Sequence, residues 1–228
     1  MVVVRKKVAV ALLVACICIC VGVCCAIIFA EPAKNASIID FTVVIDAGHG
    51  GVDGGVVARD GTTEAELNLQ YAKELSFLLR NAGLATTLTR KDGGGLYGLP
   101  SKGFKLRDMK ARKKIADDAG ANMLVSIHMN KYRDQRRKGA QVFFQSGNEE
   151  GKRLAASIQK ELNGMAGRQY EPIAGDYYIC REVGCPAVIV ECGFVSNEEE
   201  LAALKTEEYR KKLCNKIFCG IMLYLYEE

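Results

Sequence analysis

Five short apolar runs recur along the chain, each bounded by glycine, proline or polar residues and separated by segments with helical periodicity. That alternation constrains the fold more than any other feature. The runs cover residues 41–46, 85–89, 123–127, 141–144 and 187–190, the last preceded by Pro186, which is acceptable at a strand's first position. Continuous apolar runs of this length, with turn signals at both ends, read as strands buried on both faces. Between them Leu67, Tyr71, Leu75, Leu78, Leu79 and Ala82 form one helical stripe, and similar periodicity runs through residues 106–119, 151–162 and 209–226. Strands alternating with helices predict an α/β fold: a single domain over residues 41–228 with a mainly parallel, twisted sheet covered by helices on both faces. In such sheets ligands bind beyond the carboxyl ends of the strands, so chemistry is sought there. The glycine-rich stretch 91–105, holding Pro100, is too long for a simple connection and is expected as a surface loop near that edge.

The first 30 residues differ from the rest. Residues 8–30 are all apolar or glycine, 23 in a row, and about 20 suffice for a helix to cross a bilayer core. A cleaved signal has a shorter apolar stretch and a small residue at both cleavage positions, whereas Ile28 stands here before Phe29 and Ala30. Residues 1–30 are therefore expected to be a basic cytoplasmic tip and an uncleaved transmembrane anchor, with a cleaved and secreted form as the alternative. Residues 31–40 read as a linker. Arg5, Lys6 and Lys7 place the N-terminus inside, so the working domain is expected at the cell membrane on its extracytoplasmic side. Those three cations also account for most of the formal charge of +4, since the remainder balances 28 basic against 27 acidic side chains. Binding phosphate backbones needs clustered excess charge, which excludes nucleic acid as the expected partner. Five of the 10 cysteines lie in the apolar run, and the others (Cys180, Cys185, Cys192, Cys214, Cys219) are odd in number and lack CxxC spacing. They are expected as buried free thiols, with no disulfide framework and no thiolate metal site.

The chain has two histidines, and both follow or end an apolar run: His49 in Asp46-Ala47-Gly48-His49-Gly50-Gly51, His128 in Ser126-Ile127-His128-Met129-Asn130. A third run ends at Glu191. Two imidazoles and a carboxylate at strand ends that share one sheet edge are the donor set of a catalytic zinc site, which uses three protein ligands and keeps one position open. The third ligand is expected from the start of the first helix, where Glu64 and Glu66 compete. Thr63 and Glu66 complete a capping box, which gives Glu66 a structural role. Glu64 continues the buried stripe of Leu67 and Tyr71 and is taken as the ligand. Glu191 has two open roles, fourth ligand or general base. Cys192 beside it is set aside as a nucleophile, because successive strand residues face opposite ways.

These motifs, with Gly61-x-x-Glu64, Thr89-Arg90 and the segment Pro186-Ala187-Val188-x-Val190-Glu191-x-Gly193-Phe194-x-Ser196-Asn197, resemble those of the zinc-dependent N-acetylmuramoyl-L-alanine amidases of bacterial cell walls. The resemblance runs from about Thr42 to Tyr226; Ala47 stands where proline is usual, and Asp117 where asparagine commonly follows alanine. It implies a single α/β amidase domain, Zn2+ on His49, Glu64 and His128, a catalytic Glu191, and peptidoglycan as substrate. With one anchor and no wall-binding repeats, the chain is similar to the germination-type branch acting on spore cortex. Arg112 and Arg181 match arginines often present in the family. Either could meet stem-peptide carboxylates, though a structural or solvated arginine is the preferred reading of both, and Asn130 is a further substrate-binding candidate. A zinc carboxypeptidase or deacetylase on the same polymer, or a non-catalytic binding module, are the alternatives.

Overall fold

The computed structural model describes residues 41–166 and 169–227. The expected anchor and linker lie outside them. No helix among the described residues is long and apolar enough to cross a membrane. In chain order the elements are β1 (Thr42–Ala47), α1 (Glu64–Asn81), β2 (Ala85–Leu88), α2 (Phe104–Asp118), β3 (Met123–Asn130), β4 (Gln141–Gln145), α3 (Glu149–Ala166), β5 (Ile173–Gly175), α4 (Tyr178–Glu182), β6 (Ala187–Phe194), α5 (Glu198–Leu204) and α6 (Glu207–Tyr226). The six described strands form one sheet in the order β2-β1-β3-β6-β4-β5.

Four neighbouring strands, β2, β1, β3 and β6, run parallel, as the alternating pattern predicts. The sheet as a whole is mixed, which corrects the expectation at one edge: β4 pairs antiparallel with β6, and β5 follows β4 in parallel. The cause is the connection from β3 to β4, residues 131–140, which holds no helix. A parallel return needs a crossover of about a dozen residues or more, usually helical, so this chain re-enters the sheet from the edge it left.

Helices α1, α3 and α6 pack together on one face. On the other, Ala116 of α2 and Ile179 and Cys180 of α4 close over Val44, Leu124 and Ala187. Alternation along each strand then decides which side chains share that second face. Val44 and Asp46, Leu124 and Ser126, and Ala187 and Ile189 are matched in register across β1, β3 and β6. One step further along, His128 stands opposite Glu191 at the carboxyl edge. Cys192 points away from this group and is fully buried. All five cysteines of the domain are free thiols, and four are buried.

At α1, Thr63 accepts from the Glu66 amide at 3.3 Å while the Glu66 carboxylate accepts from the Thr63 amide at 3.2 Å, completing the expected capping box. At α5 the capping side chain comes from the residue after Ser196. Asn197 is the cap, accepting from the Glu200 amide at 2.9 Å, and the Ser196 hydroxyl accepts from the Tyr132 amide instead. The elements that periodicity does not show, β5, α4 and α5, have three, five and seven residues, too few to establish a period.

Candidate metal centre

The turn after β1 carries His49 with φ +61, a left-handed conformation unusual for a non-glycine residue. Two buried arginines hold it there through its carbonyls. Arg90 donates to Ala47 O at 2.9 Å and Gly48 O at 3.0 Å, and Arg112 donates to Ala47 O at 2.7 Å and His49 O at 2.6 Å. The expected surface loop after β2 closes over the same turn, with Gly51 N donating to Gly93 O and Val52 N to the Tyr97 hydroxyl.

Glu64 opens α1 and turns inward, only 3% exposed. Its Oε2 accepts from Val56 N at 2.9 Å, and its Oε1 accepts from Met129 N at 3.2 Å. Both imidazoles converge on that Oε1, His128 Nδ1 at 2.9 Å and His49 Nε2 at 3.3 Å. One donor atom from each of His49, Glu64 and His128 lies within 4.8 Å of the others, the geometry of a group that could hold a metal ion. Glu66 is exposed and stays with its cap. The rings lie edge to face with centroids 5.0 Å apart.

Electrostatics follow from this crowding. Burial alone would raise the Glu64 carboxyl, but hydrogen bonds and charge from His128 and His49 outweigh it and hold the group well below the usual carboxylate range. Burial would lower the His49 imidazole, and the Glu64 and Asp53 carboxylates overcome that and raise it. Asp53 Oδ2 lies 3.0 Å from His49 Nδ1. It accepts the Nδ1 proton and leaves Nε2 free to ligate, the usual task of an outer carboxylate at a metal histidine. Asp53 was not singled out from the sequence. Its signal was a carboxylate four residues after a histidine within a glycine-rich turn.

Glu191 lines the same pocket as His49, Glu64 and His128, about 380 Å3 in volume. Its carboxyl makes no hydrogen bond to any of the three. Its Oε2 is buried with no hydrogen-bond partner among the described residues. Burial above all, with the Glu64 charge adding and the histidines opposing, raises its pKa to about 7. A carboxyl poised near neutrality beside three convergent donors is suited to taking up and releasing a proton.

The remaining candidates are placed less centrally. Asn130, at the end of β3, lines the pocket and caps its own turn by accepting from Lys131 N at 2.7 Å. Arg112 is 1% exposed, and its guanidinium is spent on Asp46 (2.5 Å), Asp108 (2.6 Å) and the two carbonyls named above. Arg181 is partly exposed but engaged by Asp176 and by Glu182 at 2.9 Å. Arg112 is buried and bonded inside the fold, in keeping with the structural reading preferred for it, and Arg181 is an ion-paired surface arginine, in keeping with the solvated one. Arg112 is a positioning residue for His49. Cys192, on the opposite face of β6, has its thiol pushed well above the usual range by burial first, with the nearby Cys214 adding to it.

An α/β sheet that brings together three donors able to hold a metal ion and a carboxyl with a buried oxygen beside them is the arrangement of a hydrolytic site. Residues 43–222 match the model of the N-acetylmuramoyl-L-alanine amidase family, and the chain belongs to that family. Among curated relatives it is 31% identical over 192 residues to the germination-specific N-acetylmuramoyl-L-alanine amidase of Bacillus subtilis, covering 82% of this chain and 80% of that one. Among solved structures it is similar to the CwlD amidase of Clostridioides difficile in complex with the GerS lipoprotein, with a TM-score of 0.78, 34% identity, and 82% of this chain covering 100% of that one. It is also similar to the catalytic domain of CwlV, an N-acetylmuramoyl-L-alanine amidase from Bacillus (Paenibacillus) polymyxa var. colistinus, with a TM-score of 0.72, 30% identity, and coverage of 82% and 99%.

Proposed function

We propose that this amidase is zinc-dependent and hydrolyses the amide between the lactyl group of N-acetylmuramic acid and L-alanine in peptidoglycan, with spore cortex as the physiological substrate. The carrying observation is the pairing of three convergent donors, His49, Glu64 and His128, with the orphaned Oε2 of Glu191 in one pocket. The donor set fits zinc: two imidazole nitrogens and one carboxylate oxygen, with room for a fourth position. Held there, zinc would supply a Lewis acid for the scissile carbonyl and lower the pKa of the attacking water. Glu191 takes the proton from that water and delivers it to the departing alanine amine. Asp53 and the Arg112–His49 contact keep the first imidazole aimed, while the Glu64 Oε1–Met129 N bond fixes the carboxylate against β3. The cortex assignment rests on the likeness to the germination-specific relative. Residues 8–30 support a membrane anchor with the catalytic domain outside the cell, since they are uniformly apolar behind three cations.

The test uses the purified full chain on defined muropeptides with product analysis by mass spectrometry. New L-alanine amino termini with glycan acetyl groups intact are expected. Glu191→Gln should keep stoichiometric zinc while losing about 10²- to 10⁴-fold in turnover. His49→Ala should lose zinc together with activity. An active Glu191→Gln enzyme, or loss of acetyl groups in place of new amino termini, would overturn the proposal.

A further inference from the structure

Two grooves adjoin the metal pocket through different residues, and their fixed charges differ in sign. The larger, about 790 Å3, shares Val56 and Lys131 with it. Its lining sets four cations, Arg59, Lys131, Arg133 and Lys205, against two carboxylates, Asp60 and Glu198. The smaller, about 330 Å3, shares His49, Asp53, Lys105 and His128 with the metal pocket. There four carboxylates, Asp46, Asp53, Asp108 and Asp176, face two cations, Lys105 and Arg112, alongside the rings of Tyr177 and Tyr178.

In the larger groove both carboxylates are already paired, Glu198 with Arg59 at 3.0 Å and Asp60 with Lys205 at 2.6 Å. The surplus charge is therefore Lys131 and Arg133, both exposed and without an ion-pair partner among the described residues. They stand on the segment 131–140, which carries five cations and one acid, Asp134, in ten residues. Although this segment lacks regular structure, it is fastened at several points. Tyr132 N donates to Ser196 Oγ at 3.0 Å, Asn197 Nδ2 to Gln135 O at 2.7 Å, and Gly139 N to Glu200 Oε1 at 2.8 Å. Arg137 stacks over the Tyr132 ring at 4.7 Å, holding a half-exposed aromatic surface between the two free cations. With the backbone held this way, Lys131 and Arg133 have only side-chain entropy to lose on meeting an anion, less than charges on a free loop.

Resting on the amidase reading, we propose that the charge asymmetry orients the substrate. The acidic stem peptide lies in the larger groove with Lys131 and Arg133 positioning its free carboxylates, and the uncharged sugar side lies in the tyrosine-lined groove. A stem peptide placed the other way round would leave Lys131 and Arg133 unused and bring its carboxylates to a groove whose two cations, Lys105 and Arg112, are already held by Asp53, Asp46 and Asp108, so it finds no free cation there, which makes the arrangement selective.

The test compares kcat/KM of the full chain, wild type and Lys131→Gln/Arg133→Gln, on two muropeptides that differ only in whether the second stem residue carries a free α-carboxylate or its amide. With roughly 3-fold per exposed charge, the wild type should prefer the free acid by about 10-fold and lose that preference as salt rises. The double variant should bring the ratio to about one, and Lys131→Glu/Arg133→Glu should invert it. An unchanged ratio in the double variant, or equal losses on both substrates, would overturn the proposal. Calorimetric binding of the released acidic stem peptide separates this from failure of the amidase reading. If the wild type cleaves neither muropeptide, that reading falls, yet an affinity about 10-fold weaker in the double variant would still support the groove, and equal affinities would refute it.

Discussion

Arg112→Met tests the claim that this arginine is a strut and not a substrate clamp. The side chain lies beneath the His49 turn, fully buried, and neutralises Asp46, whose other oxygen accepts from Ser126 at 2.6 Å. Burial alone would raise the Asp46 carboxyl; the Arg112 charge and the Ser126 and Thr89 hydrogen bonds overcome that and pull it from 3.8 to about 2. A shift of that size corresponds to roughly 2–3 kcal/mol, present above pH 3.8 and lost as pH falls through 2. Methionine preserves volume but leaves Asp46 buried without its cation and His49 O without its donor. Breaking a buried pair from one side costs about 3–5 kcal/mol. For a domain of this size that lowers the melting temperature by roughly 10 °C.

The sign of the pH dependence distinguishes this account from simple loss of packing. In the variant, burial acts on Asp46 unopposed by Arg112, so its pKa rises above 3.8 and the penalty is largest at neutral pH. The stability gap between wild type and variant should therefore narrow on going from pH 7 to pH 4. Asp46→Asn/Arg112→Met, which removes the buried charge altogether, should recover at least about half of the loss. Chemical denaturation at both pH values, with zinc content measured in parallel, decides the matter. A loss under about 1 kcal/mol, or a gap that widens in acid, would refute the reasoning.

Asp53→Asn should weaken metal affinity by about 10- to 100-fold, read by competition with a chromogenic chelator, because the amide no longer holds the His49 proton on Nδ1. Gly48→Ala should weaken it as well while leaving the melting temperature of the metal-free protein nearly unchanged. A Cβ at that position would run into the His128 ring, and the ring must turn away from the site to admit it.

The inner strands of the parallel half, β1, β3 and β6, were legible in the sequence because they are buried on both faces and so read as largely apolar runs such as residues 43–45. The antiparallel edge was not. Gln141–Gln145 has the same apolar character, and its direction is decided by the helix-free connection before it, a property of chain geometry and not of the strand. Glu64 was distinguishable from Glu66 for a local reason: capping and helical periodicity assign the two carboxylates to different faces of one turn. The convergence on its Oε1, by contrast, needs β1, β3 and α1 together, and it was the role of Glu191 beside them that only the family resemblance supplied.

Arginines mark the limit of such reading. Arg90 and Arg112 carry no periodicity that would bury them, and a guanidinium suits a substrate carboxylate as well as a buried aspartate. What decides is the partner across the fold. Arg112 is 66 residues from Asp46 along the chain and 2.5 Å from it in space. Its role follows from the left-handed His49 turn: a backbone conformation costing about 1–3 kcal/mol persists only where surrounding contacts over-determine it. Three successive carbonyls, Ala47 to His49, each accept from a buried arginine, and the same strained turn aims Nε2 at Glu64. The ion pair and the proposed metal ligand His49 are therefore one construction, so variants of Arg112 should lose stability and metal affinity together, whereas Asp53 variants should lose metal affinity alone.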